Sequence, residues 1–244
     1  VTLAAILNAM KVVDKKLSNT RFVINGAGAA SLSVSKLLMK AGAEDIIICD
    51  TQGAIYEGRP TGMNPYKEEM SLITNKQRLN GILADVMKGT DVFIGLSAPD
   101  MVTPDMVRSM AKDPCVLALA NPVPEIMPDL AYEAGAKVVA TGRSDFPNQV
   151  NNSLAFPGIF RGALDVRARR ISDDMKLAAA RAIASLVSQE ELELTTIIPS
   201  ALDFRVPPAV AEAVAQSAIE TGVSRINIDP HQVHRGLKQY IYEG

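Results

Sequence analysis

Two stretches hold residues whose types and spacing can do chemistry. The first is NGAGAAS, Asn25 to Ser31, set between the apolar run RFVI and an apolar helical stretch. Gly26 permits a tight turn after a strand, and Gly28 lets the backbone approach a pyrophosphate. The helix N–H groups beyond them favour the anion. Ser31 stands where the third small residue of such turns lies. About twenty residues further on, IIICD closes with Asp50, the distance at which an acidic side chain bonds the ribose 2′-OH of NAD. An ordinary strand-end Asp that starts a turn is the alternative. A carboxylate there repels a 2′-phosphate, which leans toward NAD, while Arg59 nearby in sequence keeps NADP open.

The second stretch is TGRSDFPNQVNNSLAFPG, Thr141 to Gly158, which holds Arg143, Asp145, Asn148, Gln149, Asn151 and Asn152. Carboxamides donate and accept hydrogen bonds without carrying a titrating charge. They can hold a hydroxy-acid or keto-acid oxygen, or the nicotinamide carboxamide. Against this, Asn151 and Asn152 can cap a helix beginning near Ser153, and Asn148 can fill a turn after Pro147. Arg143 can pair with Asp145 or with a ligand carboxylate. Asn121, in ALANPVPE, precedes Pro122 and is pushed to extended geometry; alone it reads as turn chemistry. Neither a metal-ligand cluster nor a Ser-His-Asp pattern nor a clear acid/base pair stands out. His231 and His234 lie in a polar context and read as solvent-facing.

The elements that must position these residues alternate. RFVIN (21–25), DIIIC (45–49), DVFIG (91–95), CVLAL (115–119) and KVVAT (137–141) are apolar almost throughout, as strands of a parallel sheet covered on both faces are. Helical candidates lie between them at 29–40, 78–89, 103–113 and 127–136, with a turn and excursion between Thr51 and Gln77. The pattern predicts an α/β, doubly wound Rossmann-type parallel sheet with flanking helices. Ligands of such sheets lie outside the carboxyl ends of the strands. Polar residues of separate strands then converge on one crevice, where Ser97 and Ala98 should edge the cofactor.

The sheet core spans about 17–145, and a helical segment, 146–244, should pack on it within a single domain. Ser172 is the expected N-cap of a helix with Asp173 and Asp174 in its first turn and a stripe from Met175 to Val187. A second helix starts at Pro207-Pro208 and stops at Gly222. The last stretch, INIDPHQVHRGLKQYIYEG, reads as a peripheral extension.

At 244 residues the chain can bury a substantial core without disulfides. With 48% apolar and 21% charged residues it has the balance of a cytoplasmic globular protein. Its net charge of −2 gives no basic surface for nucleic acid or an anionic membrane, and no apolar window is long enough to span one. Cys49 and Cys115 lie in strand-like runs and read as buried thiols in a reducing compartment rather than as a disulfide. Leu3, Ile6, Leu7, Met10 and Val13 recur at helical spacing from the first residues, as in a chain cut from something longer.

The chain resembles the malic enzyme family, in its bacterial-type branch. The likeness rests on GAGAAS, CDTQGAIYEGR, DVFIGLSAP, ALANPVPEI, ATGRSDFPNQVNNSLAFPGIFRGALD and MKLAAARAIA, and it covers essentially the whole chain. The resemblance implies oxidative decarboxylation of malate to pyruvate and CO2 with NAD(P) and Mg²⁺ or Mn²⁺. It implies that Gly26, Ala27, Gly28, Ala29 and Ala30 form the pyrophosphate loop and that Asp50 binds the ribose. It places Asn121 near the nicotinamide and malate, and Asn152 on the malate carboxylate or hydroxyl. The family's catalytic Tyr, general-base Lys, substrate Arg and acidic metal ligands have no match here. An N-terminal catalytic domain is therefore expected elsewhere, with an oligomer implied by resemblance, and these residues alone should not turn over malate. A malolactic enzyme, which makes lactate, and a non-catalytic dinucleotide-sensing module remain alternatives.

Overall fold

Strands form where the apolar runs predict them. The computed structural model describes residues 1–243, and of 242 and 243 the backbone alone. The chain divides into two compact units. One, Ala9–Gln149, holds the sheet; the other combines Val1–Asn8 with Val150–Gly244 and is helical. The sheet unit takes in the last four residues of the first helix, Ala9–Val12, and runs on to Gln149.

The sheet unit contains β1 (Arg21–Asn25), β2 (Asp45–Asp50), β3 (Gly53–Ala54), β4 (Val92–Gly95), β5 (Cys115–Ala118) and β6 (Val138–Thr141) in the order β3-β2-β1-β4-β5-β6. All pairs are parallel except β2 with the two-residue β3, which no hydropathy period could announce. The order reverses between β1 and β4, which is the switch point where such sheets bind ligands. Val23, Ile47, Phe93, Val116 and Val139 point to one face and pack under Met87, Val107, Met110 and Ala131. Each side chain of this size contributes roughly 1.5–3 kcal/mol on full burial.

The crossovers are α2 (Ala29–Lys40), α3 (Pro65–Ile73), α4 (Leu83–Val86), α5 (Pro104–Arg108) and α6 (Pro128–Glu133). Three are shorter than expected. The 78–89 helix shrinks to α4 because Arg78 (φ 50°) and Gly81 (φ 141°) take left-handed geometry just before it. The 103–113 helix stops at Arg108, and Asp113 (φ 50°) then turns the chain into β5. The 127–136 helix ends at Glu133, two residues before Gly135 (φ 101°).

The helical unit holds α7 (Phe156–Asp165), α8 (Asp173–Ser185), α9 (Val206–Glu220) and α10 (Pro230–Glu243); α1 (Thr2–Val12) begins in it. The Ser172 hydroxyl accepts from Met175 N, the expected cap. Val210, Ala211, Val214 and Ala218 of α9 are wholly buried. A Cβ at Gly158 or Gly162 would collide with Val210, with the Ala211 carbonyl or with Val214, so the two glycines let α7 lie directly on α9. Asn8 anchors the start of α1 by donating to the carbonyls of Ala184 (2.9 Å) and Ile197 (3.0 Å). The C-terminal extension carries α10. His231 is exposed, as expected, and His234 is half-buried; the Nδ1 atoms of both lie beside the Glu212 carboxylate of α9, at 2.6 and 2.7 Å. Among the described residues no helix is long and apolar enough to cross a membrane.

Candidate functional site

The turn from β1 into α2 builds one part of the site. Gly26 has φ +114°, a region that only glycine enters freely, and a Cβ there would collide with the Leu96 carbonyl at the end of β4. Gly28 is extended and faces open space, with nothing within 4 Å of where its Cβ would stand. Ala27 is half-buried, and Ala29 and Ala30 are exposed. No side chain caps α2, so its first-turn N–H groups are left for an outside acceptor. The Ser31 hydroxyl is buried beneath the turn without a hydrogen-bond partner. Open space over Gly28, uncapped amides and an orphaned hydroxyl fit a phosphate-bearing ligand.

At the β2 end, Asp50 is not a free carboxylate. Oδ1 accepts from Arg59 Nη1 (2.9 Å) and Gln52 N (2.9 Å), and Oδ2 accepts from Arg59 Nη2 (2.6 Å) and Lys67 Nζ (2.7 Å). The Asp50 and Arg59 side chains are 9% and 5% exposed. Burial alone would raise the Asp50 carboxyl, but these hydrogen bonds outweigh it and hold the carboxyl well below the usual carboxylate range. Two cations against one carboxylate leave the corner positive. Asp50, neutralised by Arg59 and Lys67, therefore presents no net negative charge to a 2′-phosphate, contrary to the expectation for a lone carboxylate. Sequence reasoning missed Lys67, which lies in the excursion between β3 and α4 and carries no motif of its own.

A hydrogen-bonded chain ties three strand ends together. Asn25 Nδ2 of β1 donates to Ser97 Oγ (2.7 Å) beyond β4. Glu125 Oε1 accepts from Ser97 N (3.0 Å) and Oγ (3.4 Å), and Oε2 accepts from Ala120 N (3.0 Å) beyond β5. Glu125 is wholly buried, and any Cβ on Gly95 would collide with its carboxylate. Glu125 lies within ALANPVPE, where no spacing or motif marks it as a link between strand ends. Over this floor Ser97, Ala98 and Asn121 are exposed. The Asn121-Pro122 bond is cis.

The carboxamides of the second stretch take different jobs. Asn148, buried with φ +56°, donates to the Val139 carbonyl (3.0 Å) at the edge of β6. Gln149 Nε2 donates to the Gly142 carbonyl (3.4 Å). Arg143 pairs with Asp145 through two hydrogen bonds, 2.9 and 2.7 Å, and lies over the Phe146 ring. In the helical unit, Asn151 Oδ1 accepts from Ser153 N (2.9 Å) and caps the turn Asn152–Leu154. Asn152 is exposed, and among the described residues its carboxamide has no hydrogen-bond partner. Three of the four carboxamides hold the chain's own backbone, and one is uncommitted.

Among the described residues no group of three or more His, Cys, Asp or Glu is arranged to hold a metal ion. These residues do not fit the metal of the family chemistry, and no step through one is derived for them. Cys49 and Cys115 are free and buried, and burial pushes both thiols up to about 12, which leaves them unreactive.

Residues 1–219 match the family model described as "Malic enzyme, NAD binding domain". The chain is 59% identical over 233 residues to a bifunctional malic/malolactic enzyme of Bacillus subtilis, covering 96% of this chain and 57% of that protein. It is 53% identical to an NAD-dependent malic enzyme of Geobacillus stearothermophilus, covering 92% and 47%. The crystal structure of a malic enzyme from Pyrococcus horikoshii superposes with a TM-score of 0.93 at 41% identity, covering 99% of this chain and 58% of that one. The chain thus spans about half the length of the curated relatives it matches. A dinucleotide-type turn at the switch point of the sheet and this likeness over nearly all its residues place the chain in the malic enzyme family.

Proposed function

We propose that these residues form the dinucleotide-binding part of an enzyme that oxidises and decarboxylates malate to pyruvate and CO2 with reduction of NAD(P). The observation that carries the reading is the open, uncapped Gly26–Ala30 turn beside the positive Asp50–Arg59–Lys67 corner. In this reading the α2 amides take the pyrophosphate, and the adenosine ribose lies at Asp50 where Lys67 yields its place on the carboxylate. Ser97, Ala98 and Asn121 edge the nicotinamide half. Asn121 offers its carboxamide to malate; for Asn152, in the helical unit, a malate contact is proposed on its own uncommitted carboxamide. The bound dinucleotide supplies the hydride acceptor. The groups that move protons and hold Mg²⁺ or Mn²⁺ come from a further domain of the family enzyme, so these residues alone bind dinucleotide without turning malate over.

The charge at the β2 end bears on cofactor choice. Lys67 reaches Asp50 on a flexible stem and can turn to a 2′-phosphate, while Arg59 stays locked on the carboxylate. The site should accept NADP as well as NAD. The likeness to a bifunctional malic/malolactic enzyme favours a second reading, in which lactate is also formed. Incubating the complete enzyme with malate, NAD(P)+ and Mn²⁺ and assaying products decides. Pyruvate with stoichiometric reduced cofactor supports the first reading, lactate without net reduction supports the second, and no conversion of malate sinks both.

A further inference from the structure

Glu125 is a wholly buried carboxylate whose hydrogen-bond donors, Ser97 N, Ser97 Oγ and Ala120 N, are all neutral. Holding a charge in such a place is costly unless a cation offsets it. Tying two strand ends together does not by itself call for a charge. A glutamine at 125 could accept from both Ser97 donors through its carbonyl and would lose only the bond from Ala120 N. Gly95 sharpens the point, because the last residue of β4 must lack a Cβ to make room for this carboxylate. The location is also specific. With the adenosine half at β2 and the pyrophosphate over the β1 turn, the rest of a dinucleotide runs toward the ends of β4 and β5. Glu125 lies directly beneath those two ends.

The nicotinamide ring carries a positive charge when oxidised and none when reduced. We propose that the Glu125 carboxylate, under the β4 and β5 ends, makes this seat favour the oxidised, cationic ring over the reduced, neutral one. This rests on the dinucleotide reading above. It assigns Glu125 two tasks, positioning Ser97 and setting which redox form stays bound. A seat biased in this way holds the hydride acceptor before reaction and releases the reduced form afterwards.

The test is titration of the protein with NAD+ and with NADH, for wild type, Glu125→Gln and Glu125→Asp. Wild type should bind NAD+ at least as tightly as NADH. The glutamine variant should shift the ratio of the two dissociation constants toward NADH by about fivefold, modest because the effective dielectric around even a buried charge is high. The aspartate variant keeps the charge and should keep the ratio, even if both forms bind more weakly. A purely structural role would weaken both forms equally in the glutamine variant, and that result overturns the proposal. If the glutamine variant does not fold, the wild-type ratio still decides, since tighter binding of NADH than of NAD+ contradicts it. Failure of both forms to bind wild type would instead overturn the dinucleotide reading itself.

Discussion

Replacing Arg59 by methionine tests how the adenosine end is built. The substitution keeps an unbranched stem but strips Asp50 of two of its four donors, leaving Lys67 and Gln52 N. Both side chains of the pair are nearly inaccessible, at 5% and 9%. Removing one member of a buried pair costs about 3–5 kcal/mol, and the two surviving donors put this case near 3 kcal/mol. For a chain of this length each kcal/mol moves the melting temperature by about 2–4 °C, so the expected drop is about 6–12 °C at neutral pH. The effect should depend on pH. Asp50 in the folded protein is held below its unfolded value. Its stabilisation is therefore fully present above the unfolded value of about 3.9 and is lost as pH falls toward the folded one. The variant, whose carboxyl is less well held, gains relief by protonating in the same range. The gap between the two proteins should narrow progressively below about pH 4. Thermal unfolding followed by circular dichroism at pH 7.5 and pH 3 reads both effects. Equal melting temperatures at pH 7.5, or a gap that widens in acid, would refute the reasoning.

Lys67→Glu reverses the charge of the lysine that shares Asp50 with Arg59 and should weaken NADP+ binding at least tenfold while changing NAD+ binding much less, measured by paired titrations. Gly26→Ala forces a Cβ into the Leu96 carbonyl at φ +114° and should cost about 2–3 kcal/mol, seen as lost dinucleotide affinity together with a lower melting temperature. Asn152→Ala in the complete enzyme should raise the KM for malate at least tenfold and leave the dinucleotide dissociation constant within about twofold, because its carboxamide holds no part of the fold. Equal losses in both would make the loop structural.

The five parallel strands were legible to within a residue because strands covered on both faces are apolar throughout, and Val23, Ile47, Phe93, Val116 and Val139 are all buried. The α2 turn was legible for a local reason: glycine spacing and the strand before it lie within a few residues. What stayed hidden depends on contacts distant in sequence. Nothing local says that Lys67, 17 residues beyond Asp50, folds back onto it. Nothing says either that Glu125, among prolines, plugs the space over Gly95. The crossover helices were overread because periodic apolar residues persist through Gly81 and Asp113, where positive φ breaks the helix. The amide-rich loop was readable only in part. Asn151 announces a cap by its place before a helix, whereas Asn148 seals the β6 edge through a carbonyl nine residues back.

Calorimetric titration of the protein with NAD+ and NADP+, beside Gly26→Ala, tests the central claim most directly. The account predicts one site per chain with a dissociation constant below about 1 mM for at least one dinucleotide, and a large loss of that binding in the glycine variant. Absence of saturable binding of either dinucleotide to the folded wild-type protein, or undiminished binding in Gly26→Ala, would contradict it.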